Sequence, residues 1–442
     1  MKPVSLRQFL GEGVWVVAGQ TLAALGTIVG LRLLTSALPP SVFGELILLN
    51  GIILLGNGLS GGPLMQGVLR LYPEAAKLNA VDQLRAIAAS YQLRLTTLTS
   101  VICLVCFLIY SIMVPVSRWL GIFIVCLLVA DVRRQLEMTL LSAGRHQRTL
   151  AIWSVIDAWV RPSAAYSLVI ILGANSFAAL LGYVVASWTI LGMLIYWRPE
   201  KGSAARTLMT RLPDGTEALS QSLVIYALPL MPLGIVGWIT SQADRYLLGV
   251  LVGVEQAGLY AALYAVVSRP FLMAGTMLES WMRPIYYEAI VASEVKMEKH
   301  LLQIWMSAVT GIGILGIAIF FLWPHQIAKL LLAEPYRHNA DLMSWMAIGY
   351  AILLLAQVYG TVCYAHKDTK AVLYSESLGC LVAVTTTIYA VNRYGATGAA
   401  FALPVYFSAQ LVMSMIMARR AEAHRPMVLL SEGRSSVSTT SA

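Results

Sequence analysis

The sequence predicts an all-α, polytopic membrane protein of twelve transmembrane helices, built as two parallel six-helix repeats around a central cavity. Three observations carry this. Of 442 residues, 58% are apolar and 12% charged, against about 25% charged in ordinary soluble domains. The mean hydropathy is +0.73. The apolar residues also come in uninterrupted runs, and a helix needs about 20 residues to cross hydrocarbon.

The runs fall at about 13–38, 42–69, 93–116, 118–141, 149–172, 176–197, 222–250, 256–280, 301–323, 340–364, 371–391 and 396–418. In lipid the backbone must satisfy its own hydrogen bonds, so runs of this length are expected to be helices. The longest connectors, Arg198–Gln221 on the side of the termini and Pro324–Asn339 on the other, are too short for a packed domain, which rarely folds below roughly 40 residues. A separate catalytic or nucleotide-binding domain is excluded, and the protein is not expected to be an enzyme. The chain divides into a cytoplasmic N-terminus (1–12), an N-terminal six-helix half (13–220), a C-terminal six-helix half (221–418) and a tail (419–442) that is first basic and then Ser/Thr-rich. From Ser431 onward the tail is expected to be disordered.

Lys2 and Arg7 precede the first run, but that run is about twice a secretory h-region of 7–15 residues and contains Arg32, so it reads as a retained helix. The glycine cluster Gly56-Asn57-Gly58-Leu59-Ser60-Gly61-Gly62 lacks the lysine of a phosphate loop, so ATP is not the direct energy source. Cys103, Cys106, Cys126, Cys363 and Cys380 all fall in spans with no metal-ligand spacing and read as small core residues. The six histidines lie in loops or tails. No metal or cofactor is expected; coupling to protons or sodium stays open.

Most of the 31 Lys and Arg, among them Arg70, Lys77, Arg145, Arg148, Arg198, Lys201, Lys296 and Arg419, lie in connectors on the side of the termini. The positive-inside rule therefore puts both termini in the cytoplasm. The net charge of +9 then reflects basic loops against anionic lipid headgroups rather than nucleic-acid binding.

Self-similarity supports the repeat. Leu33-Leu34 with Gly44 recurs as Leu247-Leu248 with Gly258, an offset of 214 in the numbering, and Ala143–Arg148 recurs in kind as Ala365–Lys370, an offset of 222. Parallel repeats are a transporter architecture with the substrate path between them. Pro63, Pro229 and Pro232 interrupt spans two and seven and are expected to bend them.

Charges at membrane depth are expensive and mark cavities or partners. Arg269, before Pro270, is deep in span eight with no acidic residue within one turn, so it needs a partner from elsewhere or an anion. Arg161 follows Asp157 by one turn in span five, placing both on one face where they can pair. Arg32 lies near the outer end of span one. Arg245 follows Asp244 in span seven and either faces the cavity or snorkels outward. The inner half of span four carries Asp131, Arg133, Arg134 and Glu137 at i,i+3 and i,i+4 spacing, a brace or the mouth of a path. Gln20, Asn50, Asn57 and Gln242 could bind sugar hydroxyls or tie helices together. Trp119, Trp197 and Trp323 read as interfacial anchors. For Trp15, Trp238 and Trp281 core packing competes with sugar stacking.

The stretch Leu33-Leu34-Thr35-Ser36-Ala37-Leu38-Pro39-Pro40-Ser41-Val42-Phe43-Gly44-Glu45-Leu46 resembles the first-to-second helix region of oligosaccharide flippases, the O-antigen and exopolysaccharide repeat-unit transporters of the multidrug/oligosaccharidyl-lipid/polysaccharide exporter superfamily. Asp244–Gly249 through Ala257–Tyr260 is similar to the matching region of the second half, and Tyr394–Ala402 to the last helix turn. The resemblance implies a transporter in the bacterial cytoplasmic membrane. It would flip an undecaprenyl-diphosphate-linked oligosaccharide by alternating access, with spans one, two, seven and eight around a cationic cavity. It also implies a glycan polymerase and other assembly proteins as partners, besides bilayer lipids. Arg32 and Arg269 fall on the helices that carry such arginines in the family; Arg161 fits less closely. The main alternative is an ion-coupled multidrug efflux antiporter of the same superfamily, which should show unpaired carboxylates at depth.

Overall fold

The computed structural model describes residues 6–77, 80–113, 117–197, 215–228, 231–292, 294–366 and 368–423. The basic connector from Arg198, Pro229, Lys367 and the tail from Ser431 lie outside these residues. All regular structure among the described residues is helical: α1 (Leu6–Ala37), α2 (Pro40–Ser60), α3 (Gly62–Lys77), α4 (Val81–Met113), α5 (Leu120–Ala143), α6 (Gln147–Leu172), α7 (Ser176–Tyr196), α8 (Gly215–Ala227), α9 (Met231–Leu251), α10 (Val254–Val291), α11 (Val295–Leu322), α12 (Pro324–Leu331), a 3-10 turn (Glu334–Tyr336), α13 (Leu342–Ala365) and α14 (Thr369–Ala423).

Among the described residues, ten helical stretches are long and apolar enough to cross a membrane. Two further spans complete the twelve. Helix α5 carries Asp131, Arg133, Arg134 and Glu137, too many charges for a purely apolar span. Helix α14 is two spans joined at Gly395, whose φ of 57° and ψ of −133° suit only a residue without Cβ. Spans two and seven break near the expected prolines: α2 ends one residue before Gly61, Pro63 is the second residue of α3, and Pro232 is the second residue of α9. Several helices run beyond the expected spans at the end where α1 begins, called here the terminal end; α4 starts at Val81 and α10 reaches Val291.

The helix bounds repeat. Val81 opens α4 and Val295 opens α11, again at the offset of 214. Leu120–Ala143 and Leu342–Ala365 are both 24-residue helices, at the offset of 222. The offset grows by eight, the length of α12, the short helix that the C-terminal half inserts between these landmarks.

The two halves meet about an internal two-fold axis. A Cβ on Gly44 would lie 2.0 Å from the Val254 carbonyl oxygen, and one on Gly258 would lie 2.2 Å from that of Pro40. Pro40 and Val254 are themselves 214 apart, so this contact is reciprocal. It lies at the end of the bundle opposite the termini, the far end. There Phe43 packs edge-on against Tyr336 at 5.5 Å. The Tyr336 hydroxyl donates to the Leu38 carbonyl at 2.9 Å.

Below this contact the two-fold symmetry fails in a useful way. On one side α9 is stitched to α2: Trp238 Nε1 donates to the Gly51 carbonyl at 2.7 Å and the Tyr246 hydroxyl to the Leu48 carbonyl at 2.6 Å. Further in, a Cβ on Gly234 would lie 2.5 Å from the Gly58 carbonyl oxygen. At the same offset of 214, the counterparts of Trp238 and Tyr246 are Ala24 and Arg32, and those of Gly51 and Leu48 are Ala265 and Ala262. An alanine cannot reach the backbone that a tryptophan reaches. The α1–α10 side is not stitched in this way among the described residues, and Ala24 and Ala265 line a cavity instead.

Candidate functional site

Two cavities fill the space that this asymmetry leaves. The central one, about 510 Å³, is lined from α1, α2, α9, α10 and α13. Its walls obey the two-fold: Thr27 and Ser241, Ile47 and Ala261, Asn50 and Tyr264, and Leu54 and Ser268 are lining pairs at the repeat offset of 214. A side cavity of about 340 Å³ lies in the N-terminal half, with Asp157, Arg161 and Tyr183 on its polar wall and Leu31, Leu34, Phe43 and Leu46 on its apolar wall. The two share Thr27, Ile47, Asn50, Ala265 and Arg269.

Arg269 thus stands where the cavities join. It is exposed to that space, and among the described residues no carboxylate pairs with it. Its counterpart across the two-fold is Leu55, so the charge belongs to one half only. Asn50 faces the same junction.

Arg245 also lines the central cavity, but its bonds are filled from its own half. Nη1 donates to Gln242 Oε1 at 2.8 Å and to the Ser241 carbonyl, and the guanidinium lies 3.8 Å from the Tyr264 ring centre. Asp244, beside it, accepts from the Tyr260 hydroxyl at 2.8 Å and from the Arg245 backbone N–H at 2.8 Å. Arg245 is therefore a buried fixture of the cavity wall, and it does not snorkel.

The expected pairing of Asp157 with Arg161 is not what forms. Asp157 accepts from Arg134, and Arg161 Nη2 donates to Asp131 Oδ2 at 3.1 Å. Arg134 also bonds Asp131 Oδ1 at 3.1 Å, making a chain Asp157–Arg134–Asp131–Arg161 with no net charge. One-turn spacing on α6 puts the two side chains on one face, but α5 packs there and its residues reach both first. The α5 charges are thus split. Asp131 and Arg134 join this network. Glu137 pairs with Arg133 at 3.6 Å and with Arg85 at 3.7 Å nearer the terminal end.

Of the other candidates, Gln20, Asn50 and Gln242 line the central cavity. Arg32 and Asn57 line neither cavity. Arg32 carries a buried Nη1, and Asn57 a buried Oδ1, without a hydrogen-bond partner among the described residues. Trp238 serves the α2–α9 seam. Trp15 lies beneath Arg148 at 5.1 Å, and Trp281 is 60% exposed. Sequence reasoning passed over Glu376, an acidic residue inside span eleven that has no ion-pair partner among the described residues; a lone carboxylate in an apolar run was the available signal. It also passed over Tyr264, Tyr350 and Tyr183, because tyrosines in spans carry no mark of which line a cavity.

No protein-family model matches the sequence, and no curated protein matches it. The fold does have solved counterparts. The chain is similar to an inward-facing conformation of a multidrug resistance MATE family transporter of the MOP superfamily, with a TM-score of 0.71 at 12% identity over 93% of this chain and 98% of that one. It is similar to an outward-facing conformation of such a transporter, with a TM-score of 0.66 at 13% identity over 93% and 94%. A MOP superfamily transporter from Pyrococcus furiosus, described as having a binding pocket of reverse polarity that suggests a different function, gives 0.64 at 13% identity over 93% of each chain. The fold is that of the MATE transporters of the MOP superfamily.

Proposed function

We propose that this chain is a secondary transporter that carries an undecaprenyl-diphosphate-linked oligosaccharide repeat unit from the inner to the outer leaflet of the bacterial cytoplasmic membrane by alternating access, for cell-surface or extracellular polysaccharide. Both termini lie in the cytoplasm, and a proton or sodium gradient supplies the energy. Glycan polymerase and other assembly proteins are its partners.

The observation that carries this reading is the uncompensated guanidinium of Arg269 at the junction of the two cavities. In the central cavity Asp244 balances Arg245, and around the side cavity the Asp157–Arg134–Asp131–Arg161 chain is neutral. Among the described residues that line the two cavities, Arg269 is the charged group left without a counterion. A diphosphate cannot cross hydrocarbon unaided, whereas a guanidinium offers it a charged, bidentate donor pair. Asn50, Gln20 and Gln242 supply neutral hydrogen-bonding groups suited to sugar hydroxyls. The polyprenyl chain need not be desolvated if it stays in lipid beside the bundle. An antiporter of organic cations would be served by a free carboxylate in the cavity; Asp157, the carboxylate on the side-cavity wall, is bound to Arg134, and Glu376, which has no ion-pair partner among the described residues, lines neither cavity.

The test is complementation of a strain whose chromosomal copy is deleted. Arg269→Ala is expected to abolish surface glycan while the protein accumulates normally, and Arg269→Lys to restore part of it, since a lysine is a point charge without the guanidinium fork. The same strain, in a background without other pumps, is expected to show no change in ethidium efflux. Wild-type glycan from Arg269→Ala, or ethidium efflux that depends on this chain, would overturn the assignment.

A further inference from the structure

We propose that the reciprocal Gly44–Gly258 contact is the far-end gate of the transport path, a seal made backbone to backbone that closes only while both positions lack a side chain. Three observations meet here. The approach is closer than any side chain allows: the atoms that a Cβ would strike, the carbonyl oxygens of Val254 and Pro40 at 2.0 and 2.2 Å, belong to helix backbones, and no change of rotamer can move them. The seal lies directly over the path, because one helical turn further in from Gly44 and Gly258 the chain reaches Ile47 and Ala261, which line the central cavity. The layer above it is not covalently fixed. Thr35, Leu38 and Phe43 meet Ala333 and Tyr336 through two hydrogen bonds and one ring contact.

The two-fold explains why this contact moves while the α2–α9 seam does not need to. The seam residues Gly58 and Gly234 have Leu272 and Gln20 as their counterparts, and these two line the central cavity instead of touching. The halves are thus joined along one side and sealed at one end. Along the remaining α1–α10 side lie the central and side cavities. Opening the path at the far end requires the contact on the axis to part, and Gly44 and Gly258 must part together because each rests on the turn before the other. The gate is a property of the fold and holds whatever the cargo.

The experiment replaces the five native cysteines and introduces Ala265→Cys as a reporter in the cavity. A membrane-impermeant sulfonated maleimide is applied to spheroplasts and, separately, to inverted vesicles. Control cysteines at Lys329 and Arg148 identify the far and terminal faces independently of any assumed orientation. With both glycines present the reporter is expected to label mainly from the terminal face. Gly44→Leu and Gly258→Leu are each expected to raise far-face labelling at least tenfold and to the same degree, while Gly58→Leu in the seam leaves it unchanged. If leucine prevents accumulation, Gly44→Ala and Gly258→Ala are expected to raise far-face labelling by a smaller, equal factor. Unchanged far-face labelling in the variants that accumulate, or a response at one glycine and not at its counterpart, would overturn the gate. Neither result bears on the diphosphate assignment, which rests on Arg269 and is read by glycan export.

Discussion

Asp131 holds two guanidiniums at once, and neutralising it measures what the buried chain of charges contributes. Its two oxygens accept from Arg134 and Arg161 at 3.1 Å each, and its side chain is only 9% exposed. Asp131→Asn keeps the shape and removes the charge. It leaves Arg134, Asp157 and Arg161 with a net charge of one at the wall of the side cavity, with the two guanidinium side chains only 13% and 18% exposed. Stripping one partner from a buried pair costs about 3–5 kcal/mol, mostly because the remaining charge is stranded. At tenfold per 1.4 kcal/mol this is roughly two to four orders of magnitude in the folded-to-unfolded ratio. The double variant Asp131→Asn/Arg161→Gln removes one charge of each sign and leaves the Arg134–Asp157 pair whole. It is expected to recover at least half of the loss. Equilibrium unfolding in mixed dodecyl maltoside and SDS micelles, followed by tryptophan fluorescence, gives both values. Simple additivity, with the double variant as unstable as the sum of the singles, would show that the four charges do not act as one network.

Further predictions concern packing. Gly395→Ala places a Cβ at a φ of 57° and ψ of −133° and is expected to cost about 1–3 kcal/mol, read in the same micelle assay. Gly182→Leu is expected to impair accumulation, because a Cβ there would already lie 2.4 Å from the Ala165 Cα and a packed helix pair has no room to yield. Tyr246→Phe removes the donor to the Leu48 carbonyl and is expected to cost about 0.6 kcal/mol, and no more than about 1.7, the range for hydrogen bonds between membrane helices. Ala24→Trp gives α1 the side chain that its counterpart Trp238 carries. It is expected to fill the central cavity and reduce glycan export at least tenfold while the protein accumulates normally, checked by immunoblot and surface-glycan staining.

The sequence by itself determined what lipid demands of a chain. Runs of apolar residues locate helices because hydrocarbon offers the backbone no other partner, and that requirement acts segment by segment. The interruptions at Pro63 and Pro232 were legible from proline's own chemistry, though as bends rather than breaks, and the gap between the last two spans from the end of an apolar run. So was the need of Arg269 for something beyond its own helix. The matched positions of Gly44 and Gly258 in the two halves signalled a repeat, though not that the two residues touch. Tertiary structure alone decided which partner each charge takes. Spacing on α6 made Asp157 and Arg161 neighbours, yet α5 packs against that face and claims both. It also decided that Arg245 is held within the wall while Arg269 is left open, and that Arg32 lines neither cavity. The difference arises between helices. Whether two spans stitch together or part depends on a tryptophan meeting a glycine on one side and an alanine meeting an alanine on the other, and such pairings exist only after the halves have folded against each other.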